Sequence, residues 1–304
     1  MSNVLLNALS LIIIIIIGYT LKLQGFVPIE GRKLITNLIM LITLPCALVS
    51  GFANFTMDQS LYYVILVSLL FNIIVCILAL LFSHDQHNEI KAFNVLNMPG
   101  YNIGCFTLPF VQTALGPFGV IVTSMFDIGN SIMCTGVTYA LASEIAGNSE
   151  KQKLKSFIKK MLSSIPFDVY MIMLFITITG IKLPDFIFFI TGHIGSANPF
   201  LCMLLIGMLF ECQLEKYQQV HVLKILAIRL ATATLFALII YYYTPFSMAI
   251  KQVVILTTFS PIPISTTIFT EKCGADAKLS GICSSFAIPI SIIIMTSLLT
   301  YWNI

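Results

Sequence analysis

Asn97-Met98-Pro99-Gly100-Tyr101-Asn102-Ile103-Gly104, followed by Pro109, interrupts an otherwise apolar stretch running from about Ala92 to Ala114. Two prolines, two glycines and two asparagines there predict a broken helix. In hydrocarbon each unpaired backbone group costs several kcal/mol, so such a break survives only where protein or a protected cavity satisfies it. Breaks of this kind mark binding sites near the bilayer midplane of transporters. The stretch therefore points to transport.

The remaining sequence supplies the membrane. Of 304 residues, 58% are hydrophobic and 10% charged, with mean hydropathy +0.97. That excludes a soluble domain and predicts an all-α polytopic membrane protein. Apolar runs and breakers give ten spans, at 3–22, 34–52, 61–82, 92–114, 117–143, 165–181, 187–210, 222–243, 248–270 and 277–302. At roughly 20 residues per spanning helix, ten spans leave only short loops and no soluble catalytic domain. The Ile12–Ile17 run continues into a full-length segment with no Lys or Arg before Val4, which predicts a spanning helix rather than a signal peptide. The eight cysteines show no CxxC pair or metal-type Cys/His spacing, so no metal and no cofactor are expected. There is no P-loop, no HExxH and no second mid-membrane Asp, which argues against ATP drive and intramembrane catalysis. The net charge of +3 is not clustered for nucleic acid.

The spans repeat. An offset of about 162 residues carries Leu61–Phe82 onto Leu223–Thr244 and the first break onto Ser260-Pro261-Ile262-Pro263. Five spans per half require opposite insertion of the halves, hence an inverted repeat with broken helices four and nine. The predicted organisation is a first repeat at 1–150, a basic linker at 151–164 and a second repeat at 165–304. Thirteen Lys/Arg residues, including Lys151, Lys153, Lys155, Lys159 and Lys160, lie on one side, while Lys182 and Lys251 lie on the other. The bias makes the first side cytoplasmic and puts both termini outside.

The chain resembles the auxin efflux carrier family over essentially its whole length. The resemblance rests on Asn102-Ile103-Gly104, Leu108-Pro109-Phe110, Ala114-Leu115-Gly116, Asp127, Asn130, Gly207, Pro261-Ile262-Pro263 and Gly274-Ala275-Asp276. It implies ten helices, a scaffold and a transport subdomain, and two unwound helices crossing at the substrate. More distantly, the chain is similar to bile-acid-type sodium symporters and sodium/proton antiporters of that crossover architecture. In plant auxin carriers an asparagine at the first crossover contacts the substrate carboxylate, and Asn102 holds the matching place. The long hydrophilic loop of many plant members is missing, which disfavours auxin itself and fits the bacterial organic-acid permeases of the family.

Counting depth along the spans sets Asn102 about ten residues into the fourth and Pro261 about thirteen into the ninth. Asn72, Asp127, Asn130, Ser284 and Ser285 fall at comparable depth. The outgoing half-helices, starting near Asn102 and Pro263, would aim unpaired N–H groups inward and favour a carboxylate. The incoming half-helices end there with opposite polarity. Asn97 and Asn102 add neutral donors, and Gly104, Pro261, Pro263 and Asn130 complete the expected binding set, with Asn72, Ser260, Ser284, Ser285 and Arg229 as secondary candidates. Asn102 either contacts substrate or caps its half-helix. Asp127 either couples a proton or cation or pairs structurally with Asn130. Arg229, seven residues or so from the end of its span, reads more readily as snorkelling to the headgroups than as anchoring an anion. Asn72 fits an interhelical hydrogen bond as well as the site.

These residues predict a secondary transporter moving a small organic anion, a mono- or dicarboxylate, across the plasma membrane by alternating access, with proton or sodium as coupling ion. Lipid is the other expected partner, and a homodimer stays open. The alternatives are a sodium-coupled symporter or cation/proton antiporter of the same fold, then a channel or membrane receptor.

Overall fold

A computed structural model describes residues 2–53, 59–147 and 164–303. Among the described residues there are helices and no strands. The described residues form eleven helices: α1 Ser2–Leu23, α2 Ile29–Gly51, α3 Ser60–Phe82, α4 Asn88–Asn97, α5 Ile103–Ile145, α6 Ile165–Thr179, α7 Asp185–Leu209, α8 Lys216–Tyr243, α9 Met248–Thr258, α10 Ser265–Lys272 and α11 Ala277–Tyr301. Seven helices are long and apolar enough to cross a membrane, and α6 and α9 are shorter apolar helices. Leu5, Leu6, Leu9, Ile13, Ile16 and Ile17 of α1 lie exposed, as lipid-facing side chains must. The chain is a multi-pass membrane protein.

α5 holds 43 residues, which at about 1.5 Å per residue would be twice the hydrocarbon thickness if straight. It bends at Gly116, where φ is 62° and ψ −153°. That conformation belongs almost only to glycine, and Pro117 restarts the helix behind it. The Thr138–Ile145 end of α5 packs back on α4, so the helix returns to the side from which α4 enters. Helix limits exceed the apolar runs where polar turns continue them. Thus α2 begins at Ile29 rather than 34, behind Pro28, and α8 begins at Lys216, where Glu215 and Gln218 form a reciprocal cap. The expected ninth span, 248–270, is two helices, α9 and α10. The basic linker carrying Lys151 to Lys160 lies outside the described residues.

Two packing groups surround the breaks. In one, α7 packs on α1 and α2, and α2 on α6; in the other, α3, α4, α8, α9, α10 and α11 join α5 or one another, and α5 also contacts α1, α2, α6 and α7, with α1 against α11. The α1–α7 seam is closed by glycines: a Cβ on Gly207 would meet the Ile15 carbonyl and the Tyr19 amide nitrogen, and one on Gly18 the Leu204 carbonyl. Backbone on both sides cannot yield, the small-residue contact that lets membrane helices approach. Gly207→Ala should therefore lower the melting temperature of the detergent-purified protein, at a cost of about 1–3 kcal/mol. Gly281→Ala in α11, where a Cβ meets nothing within 4 Å, should not. Equal melting of the two variants would contradict this packing.

Candidate functional site

The break after α4 leaves residues 98–102 without helix, and that after α9 leaves 259–264. The two cross in direct contact: the Asn102 amide donates to the Pro261 carbonyl at 2.9 Å, and the Thr107 and Ser260 hydroxyls share a hydrogen bond. Backbone groups freed by the first break are satisfied by side chains from elsewhere, as burial demands. Asn72 Oδ1 accepts the Gly100 N–H at 2.9 Å. Asn130 brackets Tyr101, with Oδ1 accepting its N–H at 3.0 Å and Nδ2 donating to its carbonyl at 2.9 Å. Prolines 261 and 263 bring no N–H that would need a partner.

The carbonyls converge on Arg229 of α8. Its Nη1 donates to Met98 and, at 3.3 Å, to Pro99; its Nη2 donates to Gly100 at 2.7 Å and to Ser260 at 3.1 Å. Its guanidinium also lies 5.7 Å from the Tyr101 ring centroid. The expectation that Arg229 snorkels to the headgroups is therefore corrected. The side chain turns inward because four carbonyls at the C-terminal, partially negative ends of α4 and α9 offer it more than the membrane surface does.

On the opposite side of the crossover lies a cavity of about 300 Å³, bounded by α2, α5, α6, α7 and α10 and running toward Thr36, Ser164 and Ile268. Asn102, Gly104, Asp127, Asn130 and Pro263 of the expected set line it. Asn102 is 5% exposed, makes no cap, and its Nδ2 donor has no partner among the described residues. Its chain position, between the break and the wide π turn Ile103–Thr107 that precedes Pro109, turns it away from the helix ladder. Asp127 accepts from Asn130 Nδ2 at 2.9 Å on Oδ1 and from the Tyr170 hydroxyl of α6 at 2.9 Å on Oδ2. The bracketing of Tyr101 fixes the amide orientation of Asn130, so Oδ1 can only accept. Asp127 Oδ1 also meets the Ser131 hydroxyl at 3.5 Å, and a proton on Oδ2 would have the Tyr170 oxygen as its acceptor.

The other expected residues lie outside this cavity. Asn97 is fully buried, donating to Phe93 and Thr270 and accepting from Ser280 at 2.6 Å. Asn72 is an interhelical partner of the break. Ser285 accepts the Glu211 N–H at 2.8 Å, Ser284 is buried in α11, Pro261 serves through its carbonyl, and Ser260 faces a second, mostly apolar cavity of about 250 Å³ beside Arg229. Sequence reasoning missed Tyr170, Cys134 and Ser265 in the cavity wall. A tyrosine one turn into an apolar span carries no local signal of the acid it meets.

Crossed helix breaks over a cavity, among helices of which seven of those described are long and apolar enough to cross a membrane, fit a membrane transport protein. A family model of that description, Membrane transport protein, matches residues 4–168. It is the model of the auxin efflux carrier family and covers more than half of the chain, so the protein belongs to that family. No curated protein matches the chain.

Proposed function

We propose that the protein is a secondary transporter that moves a small organic anion across the plasma membrane by alternating access. The observation that carries this is the buried side-chain Nδ2 of Asn102, unpaired among the described residues, on a residue that lines a cavity of ligand size at the crossed breaks. The anion reading is favoured over the cation-coupled alternatives by Arg229. Free carbonyls at a crossover are what a sodium ion would use, and here a fixed guanidinium already engages four of them. We take the two packing groups as scaffold and transport bodies, the ten spans as an inverted repeat, the basic side as cytoplasmic with both termini outside, and the source as bacterial. On that orientation the cavity opens inward.

Asp127 is the coupling residue in this reading, taking a proton on Oδ2 between two bodies. The titratable or charged groups around it are Tyr170, Tyr101 and Cys134, with Arg229 beyond the crossover. In proteoliposomes the wild-type protein should show saturable counterflow of a labelled carboxylate without sodium, and an imposed proton gradient should accelerate uptake. Asp127→Asn should leave counterflow but lose the response to the gradient. Sodium dependence, or flux without counterflow, would contradict the proposal.

A further inference from the structure

We infer that the cavity selects monocarboxylates whose remainder is uncharged, with Asp127 as the residue that keeps a second carboxylate out. The inference rests on the anion-transport reading above and narrows its substrate. Among the described residues lining the cavity, Asp127 is the only carboxylate and there is no Lys, Arg or His, so until Asp127 takes its coupling proton the one charge that a second carboxylate meets is negative. It cannot swing away, because Asn130 holds one carboxylate oxygen and Tyr170 the other. The donors nearest the crossover are Nδ2 of Asn102 and Ser265 at the N-terminal end of α10. The Thr36, Thr135 and Ser131 hydroxyls elsewhere in the wall already donate to the Arg32 carbonyl, the Ser131 carbonyl and Asp127, and Ser164 lies at the far end. Asn102 and Ser265 suffice for one carboxylate. The buried cation, Arg229, is already engaged by carbonyls on the far side of the crossover.

The rest of the wall includes Met40, Leu44, Phe167, Leu205 and Leu209. A monocarboxylate can place its head at Asn102 and its body against these apolar groups. In about 300 Å³ a short dicarboxylate with its head at Asn102 cannot reach the Ser164 end without passing Asp127 and the apolar wall, and a second charge beside either is strongly unfavourable. Like-charge opposition of this kind is how a site rejects a near-isosteric competitor.

Butyrate and succinate share a four-carbon chain and differ by one carboxylate, which makes them the probes. In wild-type proteoliposomes, succinate should compete with labelled butyrate counterflow at least about tenfold less well than unlabelled butyrate. The monomethyl ester of succinate, which removes the second charge, should recover most of that loss. In Asp127→Asn the gap should narrow to about threefold or less. Succinate competing as well as butyrate in the wild type would overturn charge selection and leave anion transport standing. Failure of every carboxylate to exchange would overturn both. An ester as weak as succinate, or an unchanged preference in Asp127→Asn, would overturn the assignment to Asp127.

Discussion

Arg229→Met should abolish recovery of folded protein from the membrane. The substitution keeps an apolar stem of similar length and removes the donors that meet Met98, Pro99, Gly100 and Ser260. Each orphaned carbonyl costs about 1–3 kcal/mol in a protein interior and more in hydrocarbon. Four together rival the whole stability of a folded protein, about 5–15 kcal/mol. Arg229→Lys should fold with a lowered melting temperature. One ammonium brings charge to the crossover but cannot reach carbonyls on two strands, as a planar guanidinium does. Size-exclusion profiles and thermal melts of the three proteins in one detergent check this. A methionine variant that is monodisperse and melts with the wild type would mean that Arg229 does not hold the breaks together.

The second large effect concerns transport rather than folding. Asn102→Ala removes an amide whose Nδ2 has no partner among the described residues, while the backbone contact to Pro261 is retained. Stability should change little. A hydrogen bond to a charged group contributes about 1.5–3 kcal/mol, so carboxylate affinity should fall by roughly ten- to a hundredfold. Counterflow at low substrate should then be lost. Asn97→Ala gives the contrast: Asn97 is hydrogen-bonded to Thr270 and Ser280 away from the cavity, so it should cost stability and spare affinity. The reverse pattern would remove Asn102 from the site.

The asparagine pair shows where the sequence becomes silent. Proline, glycine and asparagine inside an apolar run announce a break at 97–109 and again at 260–263, because nothing else tolerates them in hydrocarbon. The break also destroys the helical phase that would tell which side each residue faces. Asn97 is the last residue of α4 and points at α10 and α11, whereas Asn102 lies beyond the break and faces the cavity. Asn72 and Asn130 stood out as polar groups at the right depth. Their task of holding the Gly100 and Tyr101 backbone depends on helices α3 and α5 coming together around it. Arg229 was legible as a charge in a span, but its four partners are about 30 and 130 positions away in the chain, and only the crossing of the breaks brings them to one point. Ranges were reliable where apolar composition ended at a glycine or proline, as at Gly116-Pro117. They fell short where polar turns prolong a helix past the hydrocarbon, as in α2 and α8.

In the function proposed above, the substrate sits in the cavity beside Asn102 and the apolar cavity next to Arg229 takes no part in binding. A structure determined with a bound carboxylate decides between the two sides of the crossover most directly. The expected result is a carboxylate oxygen within hydrogen-bond reach of Asn102 Nδ2, with the body of the molecule toward Leu44 and Phe167. A carboxylate bound among α3, α8 and α11 at Arg229, with the Asn102 amide still unpaired, would contradict it.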